Sequence, residues 1–157
     1  MPPSSHVSVG EKRVLADAIH RAIHAHGDTG RTGIVAAVLR GDALIEMAEN
    51  TVFQDCDPTH HAEIVVLGKA AAKLKTTDLS GCTLISTLQP CEMCLAAIRF
   101  SGIERVIFAA RQENVAAKYF MFPKLSINAF EAAGAAFTHI GGVCEKDVLH
   151  LYADGEE

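Results

Sequence analysis

Basic residues are in short supply in this chain: 14 lysines and arginines stand against 19 aspartates and glutamates, a formal net charge of -5. No broad positive surface is then available to track phosphates, which disfavours nucleic acid as a partner. Long apolar runs are missing as well. No stretch reaches the roughly 18 residues a membrane span needs, and the opening "MPPSSHVSVGEKR" has no apolar signal core. The expectation is a soluble, cytoplasmic protein with no membrane partner. The five cysteines are odd in number and lack a secretion signal before them, so free thiols or metal ligands are expected in place of a disulfide framework. Repeats, linkers and low-complexity segments are also absent. What the chain has in quantity is apolar surface: 49% of its 157 residues are hydrophobic, enough to fill one core. A single domain over 1–157 is the natural reading.

Hydrophobic periodicity predicts the order of elements. Val14, Leu15, Ala18, Ile19, Ala22 and Ile23 recur at three and four, the stripe of an amphipathic helix over 11–26 with Gly27 as its stop. Two apolar runs around Arg40-Gly41-Asp42 read as a β-hairpin, and "VFQDCDPTHH" as a loop. A second helix from His61 presents Ile64, Leu67, Ala71 and Leu74 on one face. "CTLIST", "CEMCLAAIRFS" and "ERVIFAA" then read as strand, helix and strand, a parallel crossover. A loop over 111–125, a helix "INAFEAAG", a strand "AAFTHI" and a closing helix "CEKDVLHLYA" complete an α/β layered domain.

The stretch "STLQPCEMCLAAIRFSG" carries the chemistry. Proline is tolerated at a helix entrance, and Cys91 and Cys94, three apart, place two sulfurs on one side of the helix start. The positive end of the helix dipole favours the thiolates that zinc requires. Zinc needs a further ligand, and the other helix start rich in candidates is "DPTHHAE", with His61 as third ligand and Glu63 two residues beyond. The fourth position is left to water, whose proton Glu63 can take. Each fragment alone has a plainer explanation: a C-x-x-C can be a redox pair or two core thiols, and His-x-Glu occurs by chance on solvated helices. Their joint order, H-x-E and then P-C-x-x-C, is the signature of zinc-dependent base deaminases.

On "NTVFQDCDPTHHAEI" and "TLQPCEMCLAAIRFSGIERVIFAAR" the sequence resembles the cytidine deaminase-like superfamily, in the branch containing guanine, cytosine and tRNA adenosine deaminases. The resemblance runs from the first helix to about Arg111. It implies a three-layer α/β/α sandwich with a central five-stranded mixed sheet, and one Zn2+ per chain held by His61, Cys91 and Cys94. Glu63 is implied as proton shuttle and Asn50 as a contact to the base, with backbone N–H groups near Ala62 and Cys91 lining the pocket. A homodimer is implied too. The chain departs from the branch at His60, where alanine is common, and at Gln89, where glutamate is common. His60 reads as an exposed loop histidine before a substrate contact; Gln89 is given no role beyond local packing or hydrogen bonding.

The expected reaction is hydrolytic deamination of a free nucleobase or related amino-heterocycle, a small-molecule partner. The acidic ending "HLYADGEE" lacks the basic helix end that an RNA substrate calls for. Two alternatives stand beside it: tRNA adenosine deamination, and a non-catalytic zinc module, for which His60 is the nearby candidate to close the site. Tyr119, Phe120 and Phe122 could stack on a ring or pack in a core or interface. Tyr152, Asp154 or Glu156 could form a lid, against the default of a frayed tail. Cys56, in the loop entering the site, could be a reactive thiol.

Overall fold

Ser8 opens the first helix, α1 (Val9–Thr29), by a reciprocal cap: its hydroxyl accepts the Glu11 N–H while the Glu11 carboxylate accepts the Ser8 N–H. The computed structural model describes residues 6–30 and 33–154. Glu11 also receives the Arg105 guanidinium at 2.7 Å, so one buried carboxylate ties the helix start to the sheet. The helix passes the expected stop at Gly27 and ends at Gly30, in the left-handed region at φ 70. Gly27 has open space around it, and its intrinsic cost of about 1 kcal/mol does not break a helix whose other face is buried.

After α1 come β1 (Val35–Arg40), β2 (Ala43–Glu49), a four-residue helix α2 (Val52–Asp55) and α3 (Ala62–Leu74). There follow β3 (Cys82–Leu88), α4 (Glu92–Ser101), β4 (Arg105–Ala110), α5 (Ile127–Ala132), β5 (Thr138–Ile140) and α6 (Leu149–Tyr152). The strands form one mixed sheet in the order β2-β1-β3-β4-β5. β1 pairs antiparallel with β2 and β3, while β3, β4 and β5 run parallel, as the crossover reading requires. Successive side chains of a strand face opposite ways, and β1 divides accordingly. Val35, Ala37 and Leu39 join α1 and α6 in one core; Ala36 and Val38 join α3, α4 and α5 in the other. The result is the expected three-layer α/β/α sandwich with a five-stranded sheet.

Three local expectations give way to tertiary packing. The loop after β2 contains α2. In α3 the buried face is Ala62, Glu63, Val66, Leu67 and Ala70; Ile64, Ala71 and Leu74 form its half-buried flank. The rotation turns Glu63 inward, which a hydrophobicity stripe cannot foresee. The closing helix is broken into a short turn over Glu145–Asp147 and α6, because Val148 between them turns in to be fully buried.

Tyr152 is not a lid. Its ring is fully buried, and its hydroxyl donates to the Gly33 carbonyl at 2.6 Å and accepts from Thr87 at 2.8 Å. Thr87 in turn accepts the Val35 N–H at 3.1 Å, so the end of the chain is stitched to the start of β1 and to β3. Gly33 packs so closely that a β-carbon there would lie 2.1 Å from the Ala22 carbonyl oxygen. Asp154 is exposed and does not line the cavity described below, and Glu156 lies outside the described residues.

Replacing Tyr152 with phenylalanine leaves buried partners unpaired and is expected to cost about 1–3 kcal/mol of unfolding free energy in urea titrations. Burial alone would raise the Glu11 carboxyl, but the Arg105 guanidinium and the Ser8 hydrogen bonds hold it below its ordinary value of 4.5. Its folded pKa therefore lies below the unfolded one, and the stability it contributes is present above that value and lost as pH falls. Glu11→Gln should destabilise the protein at pH 7, and urea unfolding repeated near pH 4 should show the gap to wild type narrowing.

Candidate metal centre and active site

Two helix starts meet at the carboxyl end of β3. After Leu88 the Gln89 N–H donates to the Ala110 carbonyl at 2.8 Å, and Pro90, which has no N–H to satisfy, leads into α4. Cys91 is the N-cap of α4 in extended conformation, with its carbonyl accepting the Leu95 N–H. His61 holds the same position on α3, and its carbonyl accepts the Val65 N–H. The segment before His61 is pinned by Asn50 N–H to the Ile34 carbonyl and Thr51 N–H to the His60 carbonyl, both at 3.0 Å. Both helices thus turn their positive ends toward one point.

At that point His61 Nδ1 lies 3.5 Å from Cys91 Sγ and 3.6 Å from Cys94 Sγ, and the two sulfurs are 3.7 Å apart. Tetrahedral zinc, with Zn–S near 2.3 Å and Zn–N near 2.0–2.1 Å, sets S···N at about 3.6 Å and S···S at about 3.8 Å. The donors are therefore spaced to share one such ion. Among the described residues these three form the one group that could hold a metal. His60 does not close the site: it is partly exposed and pairs with Asp55 at 2.8 Å and Asp57 at 3.1 Å.

The close approach of the donors shifts the protonation of each of them. The hydrogen bond with Cys94, helped by His61 and opposed by burial, pushes the Cys91 thiol down to about 4. The same hydrogen bond, with burial and the charge of Glu63, pushes Cys94 up. Hydrogen bonding to Cys91 raises His61. Glu63 is 4% exposed, and burial together with the charge of Cys91 pushes its carboxyl up to about 7. Its Oε1 is buried with no hydrogen-bond partner. A carboxylate so placed is poised to exchange a proton near neutral pH.

A cavity of about 760 Å³ opens over the centre, with His61, Glu63, Cys91 and Asn50 in its lining. Asn50 Oδ1 accepts the Val52 N–H at 3.0 Å, which fixes the side-chain amide. Ala62 is fully buried at the head of α3 and does not line the cavity. The aromatic stretch divides. Phe120 packs against Cys91 and Cys94 in a small core, Tyr119 is half-buried edge-on to Tyr152, and Phe122 lies exposed on the cavity wall. Gln89 lines the cavity and accepts the Gln112 N–H at 2.8 Å, a bond to the later wall segment where only local packing or hydrogen bonding was expected. Cys56 is exposed, with a left-handed backbone, and its thiol sits 3.8 Å from the Phe53 carbonyl. Sequence reasoning missed Glu92, whose Oε1 accepts the N–H groups of Met121 and Phe122 at 2.8 and 3.0 Å. Its place between the two cysteines was the available signal, but an acidic residue in a first helical turn reads as ordinary dipole compensation.

A mixed sheet, two converging helix starts, a Cys₂His donor set and a buried carboxylate define a zinc-binding enzyme domain of hydrolytic type. The family model for the cytidine and deoxycytidylate deaminase zinc-binding region matches residues 9–110, and the chain belongs to that family. It is 37% identical over 102 residues to the tRNA-specific adenosine deaminase of Aquifex aeolicus, covering 65% of this chain and 67% of that one. It is 34% identical over 136 residues to a probable cytosine deaminase of Schizosaccharomyces pombe, covering 85% and 82%. The match to the tRNA(Ile)-lysidine synthase of Deinococcus deserti, 42% over 77 residues, covers 49% of this chain and only 14% of that longer protein. The solved guanine deaminase of Nitrosomonas europaea superposes with a TM-score of 0.76 at 26% identity, over 95% of this chain and 85% of that one. Among the described residues no helix is long and apolar enough to cross a membrane.

Removal of one donor should empty the site. Cys91→Ser and Cys94→Ser are expected to drop zinc content, read by elemental analysis, from one per chain to below about a tenth. Glu63→Gln, which removes no donor, should keep it.

Proposed function

We propose that the protein is a zinc-dependent hydrolytic deaminase of a free nucleobase or related amino-heterocycle, releasing ammonia. The observation that carries this reading is the Glu63 carboxylate: buried in the cavity wall, raised toward neutrality, and with an oxygen left unpartnered beside the donor triad. Zinc held by His61, Cys91 and Cys94 would supply the Lewis acidity that makes water nucleophilic near pH 7. Glu63 takes the proton from the attacking water as oxygen adds to the amino-bearing ring carbon. It hands that proton to the ring nitrogen, takes a second from the added hydroxyl as the ring carbonyl forms, and delivers it to the amine as the C–N bond breaks. Base and acid are one side chain, which its pKa near neutrality permits. Asn50, with its amide orientation fixed, holds the edge of the ring.

The shortage of basic residues supports a free base over RNA. The guanine and cytosine deaminases among the relatives support the same class. The Aquifex relative favours a second reading, adenosine in a tRNA anticodon loop. Ammonia release from guanine, cytosine, adenine, their nucleosides and an anticodon stem-loop separates the two. Turnover of one free base is expected, reduced at least about a thousandfold by Glu63→Ala with zinc retained. Release from the stem-loop alone would move the function to RNA, and full activity of the Glu63 variant would refute the mechanism.

A further inference from the structure

The cavity over the metal centre changes character along its length. At its closed end lie His61, Glu63 and Cys91, with both Glu63 and Cys91 buried. Its open end is apolar: Phe53 of α2 and Met121, Phe122 and Leu125 of the segment over 118–125 line it, between 48% and 81% exposed. Among the described residues eight large apolar side chains are exposed, and these four of them gather on one cavity. Single exposed apolar residues are ordinary on a protein surface, whereas a group of them lining one cleft marks a place where apolar matter binds. The wall is fixed through backbone, without use of its apolar side chains. Glu92 accepts the Met121 and Phe122 N–H groups at 2.8 and 3.0 Å, and the Gln112 side-chain amide donates to the Pro123 carbonyl at 3.0 Å.

Size and charge narrow what fills the open end. A volume of about 760 Å³ lies in the upper half of the roughly 300–1,000 Å³ range of pockets that enclose drug-sized ligands. A bare base seated at the metal is much smaller and leaves the open end unfilled. Phosphate is a poor occupant: the lining carries Glu49, Glu63 and Glu92, and among the described residues Lys118 is its one lysine or arginine, with the ammonium over the Tyr119 ring at 5.4 Å. We propose, on the deaminase reading above, that the preferred substrate is an amino-heterocycle carrying an uncharged apolar substituent. The ring is deaminated at the metal centre, and the substituent, attached away from the reacting carbon, packs against Phe53, Met121, Phe122 and Leu125. Binding energy then comes from the apolar area removed from water, which neither a bare base nor a polar sugar supplies.

Zinc-loaded Glu63→Ala protein reads binding without turnover. Calorimetry compares guanine, cytosine and adenine with their nucleosides and with derivatives bearing a benzyl group at the nitrogen that holds the sugar in the nucleoside. For the base that binds, the benzyl form should bind about tenfold or more tighter than base and nucleoside, with a more negative heat-capacity change. Adding Phe53→Ala or Phe122→Ala, both at exposed positions, should remove most of that margin. A benzyl form no tighter than its base overturns the proposal, as do a nucleoside that binds tighter still, a margin that survives both alanine replacements, and an absence of binding throughout. Sedimentation of the wild type identifies the rival occupant: a dimer that Phe122→Ala dissociates, with no benzyl margin, gives the open end to a second copy of this chain. Ammonia release from a free base by the wild type, with no benzyl margin, leaves the function standing and removes this inference. A margin without ammonia release from any ligand does the reverse.

Discussion

The molecule is organised around one requirement: three donor atoms from segments thirty residues apart must come within 3.5–3.7 Å of each other. A sulfur misplaced by even half an ångström would leave tetrahedral zinc too far from one ligand. The fold meets the requirement by placing two donors at helix N-caps, where backbone geometry is tightly constrained by the first turn of hydrogen bonds. Both helices pack on the same face of one sheet, with Val66 and Leu67 of α3 and Leu95 and Ile98 of α4 in a common core. The loop bearing His61 is held to β1 through Asn50, and the turn bearing Cys91 follows directly from β3. Since β1 and β3 are adjacent in the sheet, the spacing between the ligands is inherited from the sheet itself.

Around that centre the protein accepts groups that oppose stability. Glu63 and Glu92 each bury a carboxylate oxygen without a partner. Each unmatched group costs on the order of 1–3 kcal/mol, which a core this apolar can absorb. Both side chains line the cavity. The same logic separates them from Glu11, which is buried but fully engaged by Arg105 and Ser8, and whose effect is purely structural.

The cavity opens where open α/β sheets commonly bind ligands, outside the carboxyl ends of parallel strands. Its floor comes from the ends of β3 and the two helix starts, while the wall comes from the later 118–125 segment. Floor and wall are joined by polar side chains: Gln89 to Gln112, Gln112 to the Pro123 carbonyl, Glu92 to Met121 and Phe122. A family of related enzymes can therefore keep the metal geometry while the wall varies, which fits relatives that act on different amino-heterocycles.

Local sequence determined the features that depend on neighbours along the chain. The order of strands and helices follows from periodicity, the hairpin from Arg40-Gly41-Asp42, and the metal donors from motif spacing, because side chains three apart on a helix start must lie together. Tertiary structure decided what depends on the third dimension. It turned Glu63 inward by rotating α3 away from its most hydrophobic stripe, carried α1 past Gly27, and buried Tyr152, whose place at the chain end suggested a lid. It also gave Glu92 its grip on the Met121 and Phe122 amides, which lie nearly thirty residues downstream. A polar residue's role is set by which buried group it faces, and the partner comes from another element of the fold.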